Sequence, residues 1–165
     1  MKPLEGITIL EFSTMITAAL ASMMLAEQGA RVIKVEPSDS GDPMRYIGAR
    51  KGDISSLFAG CNRGKESIKI DLKTDAGQAV IRDMASQVDV VIHNFRPGTM
   101  DTLNLGCGAL RTINPRLVYM AISGFGTESR PETVPILPDF ETVPKPSRNR
   151  PEIKENQRKT TENQR

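Results

Sequence analysis

Three cations, an amide and an aromatic ring stand in or just after short apolar runs. Lys34 lies within Arg31-Val32-Ile33-Lys34-Val35-Glu36, Lys73 follows Ser67–Leu72, and Asn94-Phe95-Arg96 follows Val88–His93. Lys and Arg give phosphate oxygens charge-assisted hydrogen bonds, a carboxamide orients polar groups, and a phenyl ring offers a flat base a face to lie on. Converging, they would suit a ligand that carries phosphates and a base. Singly each has a plainer reading, with Lys73 and Arg96 as solvated surface and Phe95 as a core plug.

The remaining reactive residues exclude other chemistries. Cys61 and Cys107 lie far apart with no CxxC or Cys/His spacing around them, and His93 is the single histidine. Neither a zinc site nor a disulfide framework is expected from that pattern, so no metal is assigned and both thiols are read as free. The segment Ser13-Thr14-Met15-Ile16-Thr17-Ala18-Ala19 replaces a GxGxxG turn, which argues against a nicotinamide or flavin dinucleotide of the usual kind.

The elements that would position these residues follow from periodicity. Ile7–Phe12, Arg31–Glu36, Ser67–Leu72, Val88–His93 and Leu117–Ile122 read as strands; Ile16–Gln28 and Asp75–Ser86 read as helices, with shorter helical pieces at Thr99–Leu103 and Cys107–Ile113. Gly29 is placed to end the first helix, and Gly77 near the start of the second costs little there. Pro37–Arg63 reads as a long functional connection broken by one apolar piece at Ile54–Phe58. The alternation predicts an α/β fold: a Rossmann-like, mostly parallel, doubly wound sheet. Ligands bind beyond the carboxyl ends of such strands, in the loops after Phe12, Glu36, Leu72, His93 and Ile122.

Composition divides the 165 residues near Ser129. All 13 glycines and all 8 methionines fall at or before Gly126, whereas prolines crowd the remainder. There Glu132-Thr133-Val134-Pro135 recurs as Glu141-Thr142-Val143-Pro144, and Glu155-Asn156-Gln157-Arg158 recurs as Glu162-Asn163-Gln164-Arg165. Residues 1–128 therefore read as a folded unit and 129–165 as a disordered low-complexity tail. Acidic and basic residues balance before Ser129, so the formal net charge of +2 belongs to the tail. With no basic run, neither nucleic acid nor an anionic membrane is an expected partner. No apolar run reaches bilayer length and no signal-peptide core follows Met1, so a cytoplasmic location is the expectation.

The segments taken as a set are similar to a known family. Pro3-Leu4-Glu5-Gly6, Gly29–Glu36, Ser40-Gly41-Asp42-Pro43-Met44-Arg45 and Asn62–Ser67 resemble successive landmarks of the class III coenzyme A transferases, which also include the 2-methylacyl-CoA racemases. Ile70-Asp71-Leu72-Lys73, Asn94-Phe95-Arg96-Pro97-Gly98, Asn114–Tyr119 and Ser123-Gly124-Phe125-Gly126 continue the series to about residue 128. The resemblance implies coenzyme A or acyl-CoA as substrate, a carboxylic acid as acceptor, and a large domain built from both ends of a longer chain that interlocks as a homodimer. It also implies covalent catalysis, in which an Asp carboxylate attacks the thioester and carries the acyl group and then CoA.

Carried over by position, the resemblance places CoA contacts on Ile16 and Thr17, on Ile70, Asp71, Leu72 and Lys73, and on Asn94, Phe95 and Arg96, with Lys73 foremost. Two departures stand out: Thr17-Ala18-Ala19 occupies the place of the family's Ala-Gly-Pro, and cationic contacts of some members fall on Pro37 and Thr102. Each missing cation removes a charge-assisted bond of roughly 1.5–3 kcal/mol. The family's nucleophilic Asp follows the Gly-Phe-Gly loop in a Gly-Tyr-Asp-like context, and Pro138-Asp139-Phe140 lacks that pattern, so no catalytic residue is assigned. His93 falls where the family commonly has Glu and reads as a packed strand-end residue. The expectation is a CoA-transferase-like chain that is truncated and inactive alone. The alternatives are the racemase branch and a non-catalytic CoA-binding or partner-pairing module.

Overall fold

A computed structural model describes residues 2–52, 54–124 and 126. The sequence-based tail, residues 129–165, and Asp139 lie outside the described residues.

From the N-terminus, β1 (Thr8–Phe12) leads into α1 (Thr17–Glu27) and back to β2 (Arg31–Glu36). α1 stops where expected: Gly29 takes a φ of +107°, its N–H bonds Ala26 O and the next N–H, of Ala30, bonds Leu25 O. That pair of bonds satisfies carbonyls the helix end would leave open, and only glycine adopts the left-handed turn without strain.

The long connection after β2 carries short elements of its own. It contains a 3₁₀ helix at Pro43–Tyr46, a hairpin of β3 (Arg50–Lys51) and β4 (Ile54–Ser55), and α2 (Ser56–Cys61). The expected apolar piece at Ile54–Phe58 is thus split between a strand and a helix, because Ser55 Oγ accepts the Phe58 N–H and caps α2.

β5 (Lys65–Lys69), α3 (Asp75–Ala85), β6 (Val90–His93), α4 (Thr99–Thr102), α5 (Cys107–Ile113) and β7 (Val118–Ala121) complete the order. The third sheet strand begins and ends earlier than the Ser67–Leu72 expected from alternation. Its ladder follows β2 from Val32↔Lys65 to Glu36↔Lys69, while Ile70 and Leu72 go on packing against the same core face as Ile68 after the ladder ends. Alternation tracked the core contact, not the strand.

The five main strands form one parallel sheet in the order β5-β2-β1-β6-β7. β1 is central, so the chain winds first one way through β2 and β5, then the other through β6 and β7. Leu10, Phe12, Ile33, Val35 and Val91 face Ile81 and Ala85 of α3 and Leu110 of α5. Ile9, Val32 and Ile92 face Ala18 of α1. Both faces are covered, as parallel sheets require. The reversal in winding between β1 and β6 opens a crevice at their carboxyl ends.

Candidate functional site

Above the carboxyl ends of β1, β2, β5 and β6 lies an open cleft of about 420 Å³. Ser13 and Thr14 form one wall, Pro37, Ser38 and Asp39 a second, and Ile70-Asp71-Leu72-Lys73 a third, with Phe95, Thr99 and Leu103 across from them. Five of the residues assigned from sequence, Ile70, Asp71, Leu72, Lys73 and Phe95, share this cleft.

The Asp71–Lys73 wall is built by local hydrogen bonds. Asp71 Oδ1 accepts the Lys73 N–H at 2.9 Å, and Thr74 caps α3 by accepting the Gly77 N–H while donating to Asp71 O. Gln78 Nε2 donates to Leu72 O at 3.1 Å. Gly77 is essential to this fold-back, because a Cβ there would lie 2.0 Å from Asp71 O. The sequence-based view that Gly77 merely costs little near a helix start misses that close approach.

Asn94 and Thr17 meet outside the cleft walls. Asn94 Nδ2 donates to Thr14 O at 2.7 Å and to Thr17 Oγ1 at 2.9 Å, and Asn94 Oδ1 accepts the Thr14 N–H. The β6 end therefore clamps the loop between β1 and α1. Ile16 is exposed at the start of α1, where its carbonyl accepts the Leu20 N–H. Arg96 is exposed, and its carbonyl accepts from Thr99 N–H in a turn around Pro97. Ile16, Thr17, Asn94 and Arg96 are not among the cleft-lining residues.

Lys34 is not among the residues that line the cleft. Only 1% of its side chain is exposed, and its ammonium lies 3.0 Å from Glu11 Oε1 and 2.9 Å from Asp42 Oδ2. Lys65 approaches the other Glu11 oxygen at 2.7 Å, also buried. Burial alone would raise the Glu11 carboxyl, and Lys34 and Lys65 reverse that, holding it below its ordinary value. Burial pushes the Lys65 ammonium down. Beside this cluster Arg45 grips Glu36 with two bonds, and Ser67 Oγ and the Asp42 N–H add more. Burial opposes ionisation of Glu36, but those bonds prevail and hold it at about 2. A strand such as Arg31–Glu36 gives no hint of these partners, because its polar positions look like a solvent face.

His93 packs as a strand-end residue. Its ring meets Tyr119 edge-on at 5.3 Å between centroids and tilts against Phe95 at 6.2 Å. Burial lowers its pKa, opposed in part by Asp101. Burial likewise raises the Tyr119 phenol, whose hydroxyl donates to Leu105 O. Cys61 is buried and Cys107 exposed, both free. Among the described residues no cluster of His, Cys, Asp and Glu could hold a metal ion, and no helix is long and apolar enough to cross a membrane.

A second hollow of about 390 Å³ lies between Arg45, Phe58 and Arg63. Its cations are already committed: Arg45 to Glu36 and the Phe58 ring, Arg63 to Glu27. Among the described residues Lys73 makes no such close ion pair, although, after the hydrogen bonds from Ser40, its charge helps to lower the Asp39 carboxyl across the first cleft.

Comparison with known proteins identifies the family. The model of CoA-transferase family III matches residues 4–137. The chain is 38% identical over 143 residues to the acetyl-CoA:oxalate CoA-transferase of Acetobacter aceti, covering 86% of this chain and 36% of that protein. It is 40% identical over 126 residues to the succinyl-CoA–D-citramalate CoA-transferase of Chloroflexus aurantiacus, covering 76% and 31%. The crystal structure of Rv3272 from Mycobacterium tuberculosis superposes with a TM-score of 0.75 at 36% identity, over 81% of this chain and 38% of that one. A CAIB/BAIF family protein from Brucella suis gives 0.73 at 35% identity, over 78% and 35%. The chain spans about a third of the length of these relatives.

Proposed function

We propose that this chain, which belongs to CoA-transferase family III, holds coenzyme A in the cleft above β2 and β5. In that role it serves the transfer of CoA from an acyl-CoA thioester to a carboxylic acid. The observation that carries the reading is the meeting of Lys73 with Phe95, Leu72 and Leu103 in one open cleft. Lys73 supplies a cation for phosphate oxygens and the apolar residues supply a dry surface for the base and the pantetheine chain. The side-chain hydroxyls of Thr14 and Ser38 can bond the ligand's amides and ribose.

A carboxylic acid acceptor is supported by the relatives, whose names specify oxalate and D-citramalate. Asp39 and Asp71 are the exposed carboxylates of the cleft, and both are engaged locally, with Ser40 and with the Lys73 N–H. Neither is assigned as nucleophile. The reading is therefore CoA binding without turnover by this chain alone.

Calorimetric titration of CoA, paired with an acetyl-CoA and oxalate exchange assay, tests both halves. Saturable binding with no exchange is expected. Absence of saturable binding contradicts the cleft assignment, and exchange by the purified chain contradicts the inactivity.

A further inference from the structure

The cluster of Glu11, Lys34, Asp42 and Lys65 is the most heavily charged part of the interior, each side chain no more than 2% exposed. Buried ion pairs contribute little net stability compared with apolar residues of the same volume. Their structural consequence lies in what they hold in place.

Lys34 holds the cleft wall. Its ammonium donates to Ser13 Oγ at 2.6 Å and to Ser13 O at 3.2 Å, while Glu11 and Asp42 fix it from the sides. Ser13 Oγ in turn donates to Glu11. The following residues are tied as well: Thr14 by Asn94, and Met15 through its N–H to Asp42 Oδ1 at 3.4 Å. Met15 has a φ of +63°, a left-handed backbone that a non-glycine residue keeps when its surroundings over-determine it. Ser13 and Thr14 line the cleft; Lys34, Asp42 and Glu11 lie behind them.

We propose that Lys34 is a positioning residue for the CoA cleft, acting through its two bonds to Ser13 to fix the Ser13-Thr14 wall. The proposal rests on the CoA-binding reading above for its effect on affinity, and on the Ser13 geometry alone for its effect on the loop.

Lys65 provides a matched control. It is equally buried and pairs with the same Glu11, yet its other bonds go to Ala19 O and Asn62 Oδ1, away from the cleft. Lys34→Met and Lys65→Met should both melt earlier than the parent chain. At a temperature where all are folded, Lys34→Met should weaken CoA at least tenfold and speed amide exchange at Thr14 and Met15 at least tenfold, with Leu10 and Val91 unaffected. Lys65→Met should stay within threefold of the parent in both measurements.

Equal losses in the two variants, or parent-like affinity and exchange in Lys34→Met, overturn the proposal. If Lys34→Met does not fold, Asp42→Asn, isosteric and off the cleft wall, replaces it. It keeps the acceptor for Met15 but loses the charge that anchors Lys34, and about threefold weaker CoA with faster Thr14 exchange is expected. Parent-like values in Asp42→Asn count against the proposal. Should the parent chain show no saturable CoA binding, the CoA reading fails, and the exchange measurement still decides whether Lys34 fixes the loop.

Discussion

The Cβ that Gly77 lacks would stand 2.0 Å from the carbonyl oxygen of Asp71. That contact lets the loop carrying Lys73 fold back on the first turn of α3. Gly77→Ala must push the two backbones apart. We expect a loss of about 1–3 kcal/mol, the range for overpacking a filled site, seen as a lower midpoint in urea unfolding. CoA affinity should fall with it, because Lys73 moves with the loop.

Asn94 joins the β6 end to both Thr14 and Thr17 through three hydrogen bonds. Asn94→Ala leaves the half-buried Thr14 N–H and C=O without these partners, and losing such a hydrogen bond costs about 0.5–1.5 kcal/mol. Chemical denaturation should register that loss. Asn94→Asp, which keeps the acceptor for Thr14 N–H but not the donor, should fall between the alanine variant and the parent.

Much of this was legible from residue order. The five parallel strands and the stop at Gly29 follow from alternation and turn residues, and the strand-end rule singles out Lys73 and Phe95, whereas Ile70, Asp71 and Leu72 came only with the family resemblance. The misplacements share a cause, which is that periodicity reports which residues touch the core and not which partners they have. Ile70 and Leu72 kept the strand period beyond the ladder. Lys34 and Glu36 looked like polar strand positions and proved to be buried within an ion network whose partners lie at Glu11, Asp42 and Arg45. Gly77 carries no sequence mark of the backbone pressed against it. Pairings of that kind are set by three-dimensional closure.

Acid should destabilise the fold through Glu36. Its folded pKa, about 2, lies below the ordinary 4.5. The stabilisation is therefore complete above about 4.5 and is lost as pH falls towards 2. A melting temperature that declines through this window, and declines less steeply in Glu36→Gln, is the expected result.

His93 adds a second, milder dependence. Burial lowers its pKa from 6.5, so the folded state binds its proton less readily than the unfolded chain. The stabilisation present above pH 6.5 is lost as pH falls below it. Melting curves from pH 7.5 to 5.5 should flatten in His93→Leu, which packs against Tyr119 and Phe95 but cannot titrate.

The central claim, that the cleft above β2 and β5 holds CoA through Lys73, is tested most directly by titrating CoA against Lys73→Ala and Arg96→Ala side by side. Loss of one charge-assisted bond of about 1.5–3 kcal/mol predicts roughly 10- to 150-fold weaker binding for Lys73→Ala. Arg96→Ala, which removes a cation from outside the cleft walls, should bind within about threefold of the parent. Equal affinities for Lys73→Ala and the parent, or a larger loss in Arg96→Ala, would contradict the account.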